Sequence, residues 1–132
     1  MFINFSNHPS DKWTGKQREA ALDISRELNS HRDEEEEGVF IDDMPFPNIS
    51  PYADSDDVYQ LADDFSRKIN NDAVAELTAV HIMGEMTFVF SLVQILQKHG
   101  FLCVASTSER KTIENADGTK TVLFDFVQFR EY

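Results

Sequence analysis

Three short polar segments of the chain carry side chains that are able to transfer protons or to bind an anion. These residues are Ser6, Asn7 and His8; Gly84, Glu85 and Thr87; and Ser106, Thr107 and Arg110. Imidazole and carboxylate groups serve as general acids and bases, so His8 and Glu85 are the candidate catalytic residues. The other residues would bind the ligand through hydroxyl groups, amides and one guanidinium, which are suitable donors to a phosphate.

The same residue types have ordinary structural roles, and the sequence leaves this choice open. His8 follows a predicted strand and is able to close a turn. Glu85 precedes a predicted helix, whose dipole favours a carboxylate at that position. Arg110 has acidic neighbours with which it can pair. His81 lies inside an apolar strand and is interpreted as a core histidine with satisfied hydrogen bonds.

The sequence lacks the motifs of several common enzyme classes. It contains no GxGxxG, GxxxxGK or GxSxG segment, which disfavours dinucleotide oxidoreduction, nucleoside triphosphate hydrolysis and serine-hydrolase chemistry. The four histidines show no HxH or HxxxH spacing, so no zinc site is expected. We therefore expect a site that uses neither a metal ion nor an organic cofactor.

The elements that must position these residues follow from the pattern of apolar side chains. The most informative segment is residues 80–100, where a short apolar run, a Gly-Glu turn and an apolar pattern at helical spacing predict a strand, a turn and a helix. In open α/β sheets such a turn lies at the carboxyl ends of the strands, where helix amides face ligands. Predicted strands span residues 2–5, 38–41, 79–83 and 101–105. Predicted helices span residues 13–28, about 87–98, and a segment from a cap at residue 56 or 57 to about residue 69.

The C-terminal part departs from this alternation. Segments 111–114 and 120–129 flank an Asn-Ala-Asp-Gly sequence, and Asp-Gly is a strong hairpin signal. The final strand has apolar residues on both faces, which suits a position covered on both sides or by a partner subunit. The predicted fold is α/β: a Rossmann-like three-layer sandwich with a mostly parallel sheet of four strands and a C-terminal β-hairpin, formed by residues 1–132 as a single domain. In a doubly wound sheet the three polar segments would meet at the carboxyl rim.

The net charge of -12 is concentrated in one region. Residues 32–64 hold 12 acidic side chains against one basic, whereas the rest of the chain holds 12 against 11. The run Asp33 to Glu37 predicts an acidic, flexible loop at about residues 30–38. This charge disfavours binding to double-stranded nucleic acid, but an anionic ligand remains open elsewhere on the surface.

Two further features concern the cellular compartment. No segment approaches the roughly 18 apolar residues of a membrane span, and the first residues lack a basic region followed by an apolar core. We therefore expect a cytoplasmic protein that does not associate with membranes. Cys103 is the only cysteine and lies in an apolar run, which predicts a buried thiol and no intramolecular disulfide.

Two short motifs and the predicted hairpin resemble a known group of proteins. NFSNHP at residues 4–9 and GEMTF at residues 84–88 are similar to the small Rossmann-like proteins of CRISPR systems, namely CARF domains and compact ring nucleases. The resemblance implies a role in antiviral defence, a homodimer, and a cyclic oligoadenylate bound across the dimer axis and cleaved without a metal ion. It matches residues 6–8 to the turn after the first strand and residues 84–87 to the turn at the helix start. The residues at 106, 107 and 110 enter only through the expected rim geometry.

The leading hypothesis is therefore that the protein binds and cleaves a cyclic oligoadenylate. In this reaction an adenosine 2′-hydroxyl attacks its own 3′-phosphodiester and leaves a 2′,3′-cyclic phosphate. The alternative is a non-catalytic module that senses a nucleotide or forms a dimer. A further alternative is a nucleoside N-glycosidic hydrolase or transferase with Glu85 as nucleophile or base. The sequence leaves these three readings open.

Overall fold

The computed structural model describes residues 1–32 and 37–132, within which eight main elements are found. In chain order they are β1 (Phe2–Ser6), α1 (Gly15–Asn29), β2 (Ile41–Asp43), α2 (Ser55–Asp72), β3 (Ala79–Met83), α3 (Met86–Lys98), β4 (Leu102–Glu114) and β5 (Lys120–Glu131). Single turns of 3-10 helix follow β1, at Ser10–Lys12, and precede β3, at Ala75–Leu77. The core of the predicted acidic loop, residues 33–36, lies outside the described residues.

The strands form one sheet in the order β2-β1-β3-β4-β5. The first four are parallel, and β5 pairs antiparallel with β4. Each parallel connection needs a crossover segment, and the three helices occupy these crossovers. The predicted α/β class is thus confirmed, with a five-stranded mixed sheet.

Two of the predicted strand boundaries are wrong. The second strand is Ile41–Asp43 rather than residues 38–41, because β1 pairs with Asp42 and Asp43. The fourth strand does not end at Ala105 but continues to Glu114, so that it is also the first strand of the hairpin. Residues 106–110, which lie between the predicted strand 101–105 and the predicted hairpin segment 111–114, are also strand because pairing with β5 satisfies their backbone groups. The predicted turn of the hairpin is confirmed, with Gly118 at φ +83°.

The helix ends also differ slightly from prediction. α1 begins at Gly15, where the Thr14 side chain accepts from the amide of Gln17. The cap of α2 is Asp54 rather than residue 56 or 57, and it forms a capping box in which Asp57 provides the second carboxylate. α3 is followed by Gly100, whose φ of +87° is the left-handed conformation typical of a glycine after a helix.

The two faces of the sheet carry different residues. α2 and α3 pack on one face over a core that includes Phe5, Ile82 and Phe88. α1 packs on the other face over a smaller cluster that includes Phe2 and Val104. Because side chains alternate along a strand, the α1 face of β1 also receives the polar residues Asn4 and Ser6. This face is therefore apolar at one end and polar toward the carboxyl ends of the strands.

A β-bulge determines which side chains of the hairpin lie on the α1 face. Thr107 pairs with Gln128, but Ser108 pairs with Phe126, so Val127 is an extra residue in β5. The extra residue shifts the alternation of side chains between the two faces of β5 by one position. Phe126 therefore lies beside Phe129, with ring centroids 4.9 Å apart. The bulge is the reason why the apolar pattern of the last strand did not fit a single face in the sequence.

Candidate functional site

A pocket of about 580 Å³ opens at the carboxyl ends of β1 and β3, on the α1 side of the sheet. Its lining comes from the ends of β1 and β3, the start of α1 and the hairpin. The lining residues are Ser6, Asn7, His8, Lys12, Trp13, Thr14, Gln17, His81, Met83, Gly84, Ser106, Ser108, Phe124 and Phe126. This volume falls within the range of small-molecule sites and is large enough for a mononucleotide.

The lining combines aromatic surface with polar groups and positive charge. Trp13 is half-buried, whereas Phe124 is 68% exposed although it has a large apolar ring. Lys12 supplies an ammonium group to the same lining as the exposed His8. Among the described residues, none that lines this pocket is an aspartate or a glutamate. In a chain with 24 acidic residues, a lining without carboxylates favours an anionic ligand.

Three polar side chains form a row across neighbouring strands below the pocket. Asn4 pairs in register with Asp43 on β2 and with His81 on β3. Its Nδ2 donates to Oδ1 of Asp43 at 2.7 Å and to the carbonyl of His8 at 2.8 Å, and its Oδ1 lies 2.9 Å from Nδ1 of His81. The row thus connects a carboxylate at the edge of the sheet to an imidazole under the pocket.

The hydrogen bonds of Asn4 fix the tautomer of His81. Both contacts of Nδ2 are with oxygen acceptors, so this atom must be the amide nitrogen, and Oδ1 must accept from Nδ1–H of His81. Nε2 therefore carries the lone pair. Burial, together with the nearby His8, lowers the pKa of His81 to about 4, which keeps the ring neutral near pH 7.

The segment after β1 is held in place by the same network. Oδ1 of Asp43 accepts from the amide of Ser10 at 3.0 Å, and its Oδ2 accepts from the Ser10 hydroxyl at 2.7 Å. Burial by itself would raise the pKa of Asp43, but the hydrogen bonds from Asn4 and Ser10 and the charge of Arg18 hold it below its usual value. The His8 carbonyl also accepts from the indole of Trp13 at 3.1 Å. This anchoring fixes the His8 backbone while its imidazole stays exposed.

Glu85 lies at the start of α3, where it caps its own helix. Its carboxylate accepts from the amide of Phe88 at 2.8 Å, from the amide of Thr87 at 3.2 Å and from the Thr87 hydroxyl at 2.7 Å. These hydrogen bonds, led by that of the Thr87 hydroxyl, lower the pKa of Glu85. Glu85 is absent from the main pocket lining and lies instead at a smaller cavity of about 290 Å³, together with Asn7.

Gly84 belongs to the main lining but has a second, steric role. A Cβ atom at this position would overlap Cζ of Phe46, whose ring packs directly on the glycine. Phe46 also packs on Phe5 and Phe88. The glycine therefore lets the loop after β2 close over the end of β3.

The structure brings together five of the nine residues that the sequence singled out. Ser6, Asn7, His8, Gly84 and Ser106 all line the main pocket. Glu85 and Thr87 interact with each other at the α3 cap. Thr107 exchanges hydrogen bonds with the backbone of Gln128 and is absent from the lining. Arg110 lies opposite Phe124 in the pairing of β4 with β5, two residues beyond the lining residue Ser108. Arg110 itself is absent from the lining.

Several lining residues were missed by the sequence analysis. His81 was interpreted as a core histidine with satisfied hydrogen bonds. The structure confirms its burial, at 2% exposed, but Nε2 has no hydrogen-bond partner within the described residues. Lys12, Trp13 and the hairpin aromatics were also missed. The one available signal was the occurrence of Asn4 and His81 within otherwise apolar strands, since buried polar side chains need partners.

Two negative findings apply to residues 1–32 and 37–132. Within these ranges, no group of three or more His, Cys, Asp or Glu side chains has the arrangement of a metal site. In the same ranges, no helix is both long enough and apolar enough to cross a membrane.

Comparisons with known proteins identify a family for this chain. Residues 1–130 match the model of a family described as "Uncharacterized protein MJ1673 family". No curated protein and no solved structure gives a significant match to the chain.

Proposed function

The chain belongs to the uncharacterized protein MJ1673 family, and we propose that its rim pocket binds a cyclic oligoadenylate and cleaves it without a metal ion. In this proposal the sheet acts as a Rossmann-like scaffold, and the ring-shaped ligand lies over the carboxyl ends of the strands. The observation that carries the proposal is a pocket at this rim that combines aromatic rings, imidazoles and a lysine without any carboxylate in its described lining.

The aromatic side chains provide surfaces for adenine bases. Trp13 and Phe126 line the pocket, and the ring of Phe124 is largely exposed. A base stacked on an aromatic side chain contributes about 1–3 kcal/mol to nucleic-acid binding. This contribution gives a reason for keeping a large apolar ring such as Phe124 exposed at a polar rim.

The polar groups provide contacts for phosphates. Lys12 supplies a positive charge, and the hydroxyls of Ser6, Ser106 and Ser108 are suitable donors. The cap residue Thr14 also lines the pocket, so the amino end of α1, with its positive partial charge, is directed to this side. These groups favour the phosphodiester backbone of the ligand.

The proposed reaction is a transesterification within the ligand. The 2′-oxygen of one ribose loses its proton and attacks the adjacent phosphorus, the P–O5′ bond breaks, and the leaving O5′ takes up a proton. The products are a 2′,3′-cyclic phosphate and a 5′-hydroxyl on a linear chain. Since the nucleophile belongs to the ligand, the protein has to align it and stabilise charge on the phosphoryl oxygens.

His8 is the residue to which we assign proton transfer. Its imidazole is exposed at the pocket, and its backbone is anchored through Asn4 and Trp13. General acid or base help of this kind contributes about a hundredfold to ten-thousandfold. We assign Glu85 no proton transfer, because its carboxylate is held by the helix that it caps. The same hydrogen bonds weaken the N-glycosidic alternative, which needs Glu85 as nucleophile or base.

We extend the proposal to a homodimer in which the ring spans two copies of the pocket. A single pocket is large enough for a mononucleotide, whereas a cyclic tetra-adenylate contains four nucleotides. The hairpin supplies exposed apolar side chains at Ile113, Val122 and Leu123 that would suit contact with a second copy.

The test is to incubate purified protein with cyclic tri-, tetra- and hexa-adenylate in EDTA and to resolve the products by chromatography and mass spectrometry. Linear products that end in a 2′,3′-cyclic phosphate are expected. His8→Ala should slow turnover by about a hundredfold or more, with a smaller loss of binding. His99→Ala is the matched control, since His99 caps the far end of α3. Release of free adenine would instead support the N-glycosidic reading.

A binding-only sensor is the second candidate. It is favoured by the engagement of Glu85 in its cap, which leaves His8 as the one predicted catalytic residue that lines the main pocket. Intact rings that raise the melting temperature of the protein would support this candidate and exclude cleavage. Intact rings without any shift would overturn both.

A further inference from the structure

His81 is buried, yet half of its hydrogen-bonding capacity is unused. The side chain is 2% exposed and belongs to the pocket lining. Nδ1 is bound to Asn4, whereas Nε2 has no partner among the described residues. Buried polar atoms are nearly always paired, so an unpaired nitrogen at a pocket points to a group that arrives from outside the chain.

The missing partner must be a hydrogen-bond donor. Asn4 accepts from Nδ1–H, so Nε2 carries a lone pair and is able only to accept while the ring is neutral. The surroundings favour the neutral form, because the rings of Phe2, Trp13 and Phe129 lie with their centroids 5.2 to 6.3 Å from that of His81. A carbonyl or phosphate oxygen facing Nε2 would meet another lone pair.

We propose that Nε2 of His81 accepts a hydrogen bond from the exocyclic amino group of an adenine base, so that the pocket selects aminopurine over oxopurine ligands. The inference rests on the proposed function, because it identifies the atom that recognises adenine in that same pocket. Replacing the amino group with the carbonyl of hypoxanthine removes the donor and puts an acceptor in its place. A site whose buried polar atom is left unpaired discriminates strongly against such an analogue.

The position of His81 suits a base rather than a phosphate. It lies one step below the rim residue Met83 on the same face of β3, between the aromatic side chains of the α1 cluster. Phosphate groups would instead remain at the rim, near Lys12 and the start of α1. Nε2 itself is closed off from solvent, so a planar base that enters edge-first has to part the aromatic side chains around His81 to bring its amino group to this atom.

The test compares two rings whose bases differ in the substituent at C6 and in the proton that hypoxanthine carries at N1. Binding of cyclic tetra-adenylate and cyclic tetra-inosinate is measured by calorimetry with the wild-type protein. The adenine ring should bind about tenfold to a hundredfold more tightly. Equal affinity of the two rings would overturn the inference while leaving the proposed function in place. Failure of the adenine ring to bind would overturn both.

Two substitutions make the test specific to one nitrogen. His81→Asn retains a group near the position of Nδ1, which can still bond to Asn4, and removes Nε2. His81→Gln retains an acceptor near the position of Nε2. The Asn variant should reduce the adenine preference to about twofold or less, and the Gln variant should retain more of it. Both substitutions remove the imidazole ring, so the melting temperatures of the two variants serve as matched controls for folding. An unchanged preference for the adenine ring in folded His81→Asn would also overturn the inference.

Discussion

The side chains of Asp43 and Asn4 are joined by a hydrogen bond of 2.7 Å across the β1–β2 pair, although 39 positions separate them in the sequence. This contact connects the edge strand to the centre of the sheet. Because Asp43 also accepts twice from Ser10, it anchors the segment that presents His8 to the pocket.

The first prediction concerns the pH dependence of this anchor. The folded state holds the pKa of Asp43 below its usual value, so the carboxylate contributes stability above about pH 4 and loses it as the pH falls through the folded-state pKa. Asp43→Asn should lower the free energy of unfolding at pH 7, and the difference from wild type should shrink toward pH 2. Urea titrations across this range measure it. Asp42→Asn on the same strand is the control, and a pH-independent difference would contradict the prediction.

The second prediction concerns the contact between Gly84 and Phe46. Gly84→Ala places a Cβ atom against the Phe46 ring and should destabilise the protein by about 1–3 kcal/mol, as overpacking commonly does. Chemical denaturation measures the loss. Gly15→Ala should show no such loss, since a Cβ there meets nothing within 4 Å. If the contact is the cause, Phe46→Leu should reduce the penalty of Gly84→Ala in a double-mutant cycle.

The third prediction separates capping from catalysis at Glu85. Glu85→Ala removes the acceptor for the amides of Thr87 and Phe88 and should lower the melting temperature by a few degrees. Glu85→Asp or Glu85→Asn should recover part of this loss, because short polar side chains also cap helices. Ring cleavage per folded molecule should remain close to wild type. A complete loss of turnover in a fully folded Glu85→Asn variant would show that the carboxylate takes part in the chemistry.

The fourth prediction concerns the charge of Lys12. Lys12→Gln should weaken binding of an anionic ligand several-fold at low salt. If Lys12 contacts a phosphate, the slope of log affinity against log salt should fall by about 0.7, the value for one contact on a single strand. Calorimetry at several salt concentrations gives both quantities. Lys16→Gln is the control. Lys16 lies in the first turn of α1 and outside the described lining, so this substitution should leave the slope unchanged.

The fifth prediction concerns the thiol of Cys103. Burial, with a smaller effect of Glu131, raises the pKa of Cys103 to about 12, so the reactive thiolate is scarce at pH 8. The native protein should react with a thiol reagent far more slowly than the same protein in denaturant. Absorbance of the released thiolate follows the reaction. Rapid labelling of the native protein would mean that the α3 side of β4 opens readily.

Much of the fold was predictable because its signals are local. Strand β3, the Gly-Glu turn and α3 follow from a change in apolar period within some twenty residues, and the Asp-Gly turn identified the hairpin. The buried state of Cys103 followed from its apolar neighbours. Five rim residues were also predicted, since polar segments after parallel strands meet at one edge of the sheet.

The tertiary structure alone decided how the site is assembled. Asn4 and His81 are 77 positions apart, and only the register of β1 against β3 places their side chains in contact. In the same way, only the bulge at Val127 places Phe126 and Phe124 at the pocket rather than on the opposite face. Periodicity in a sequence determines which residues share a face of one element. The pairing of separate strands determines which of those residues become neighbours, and the chemistry of this pocket depends on those neighbours.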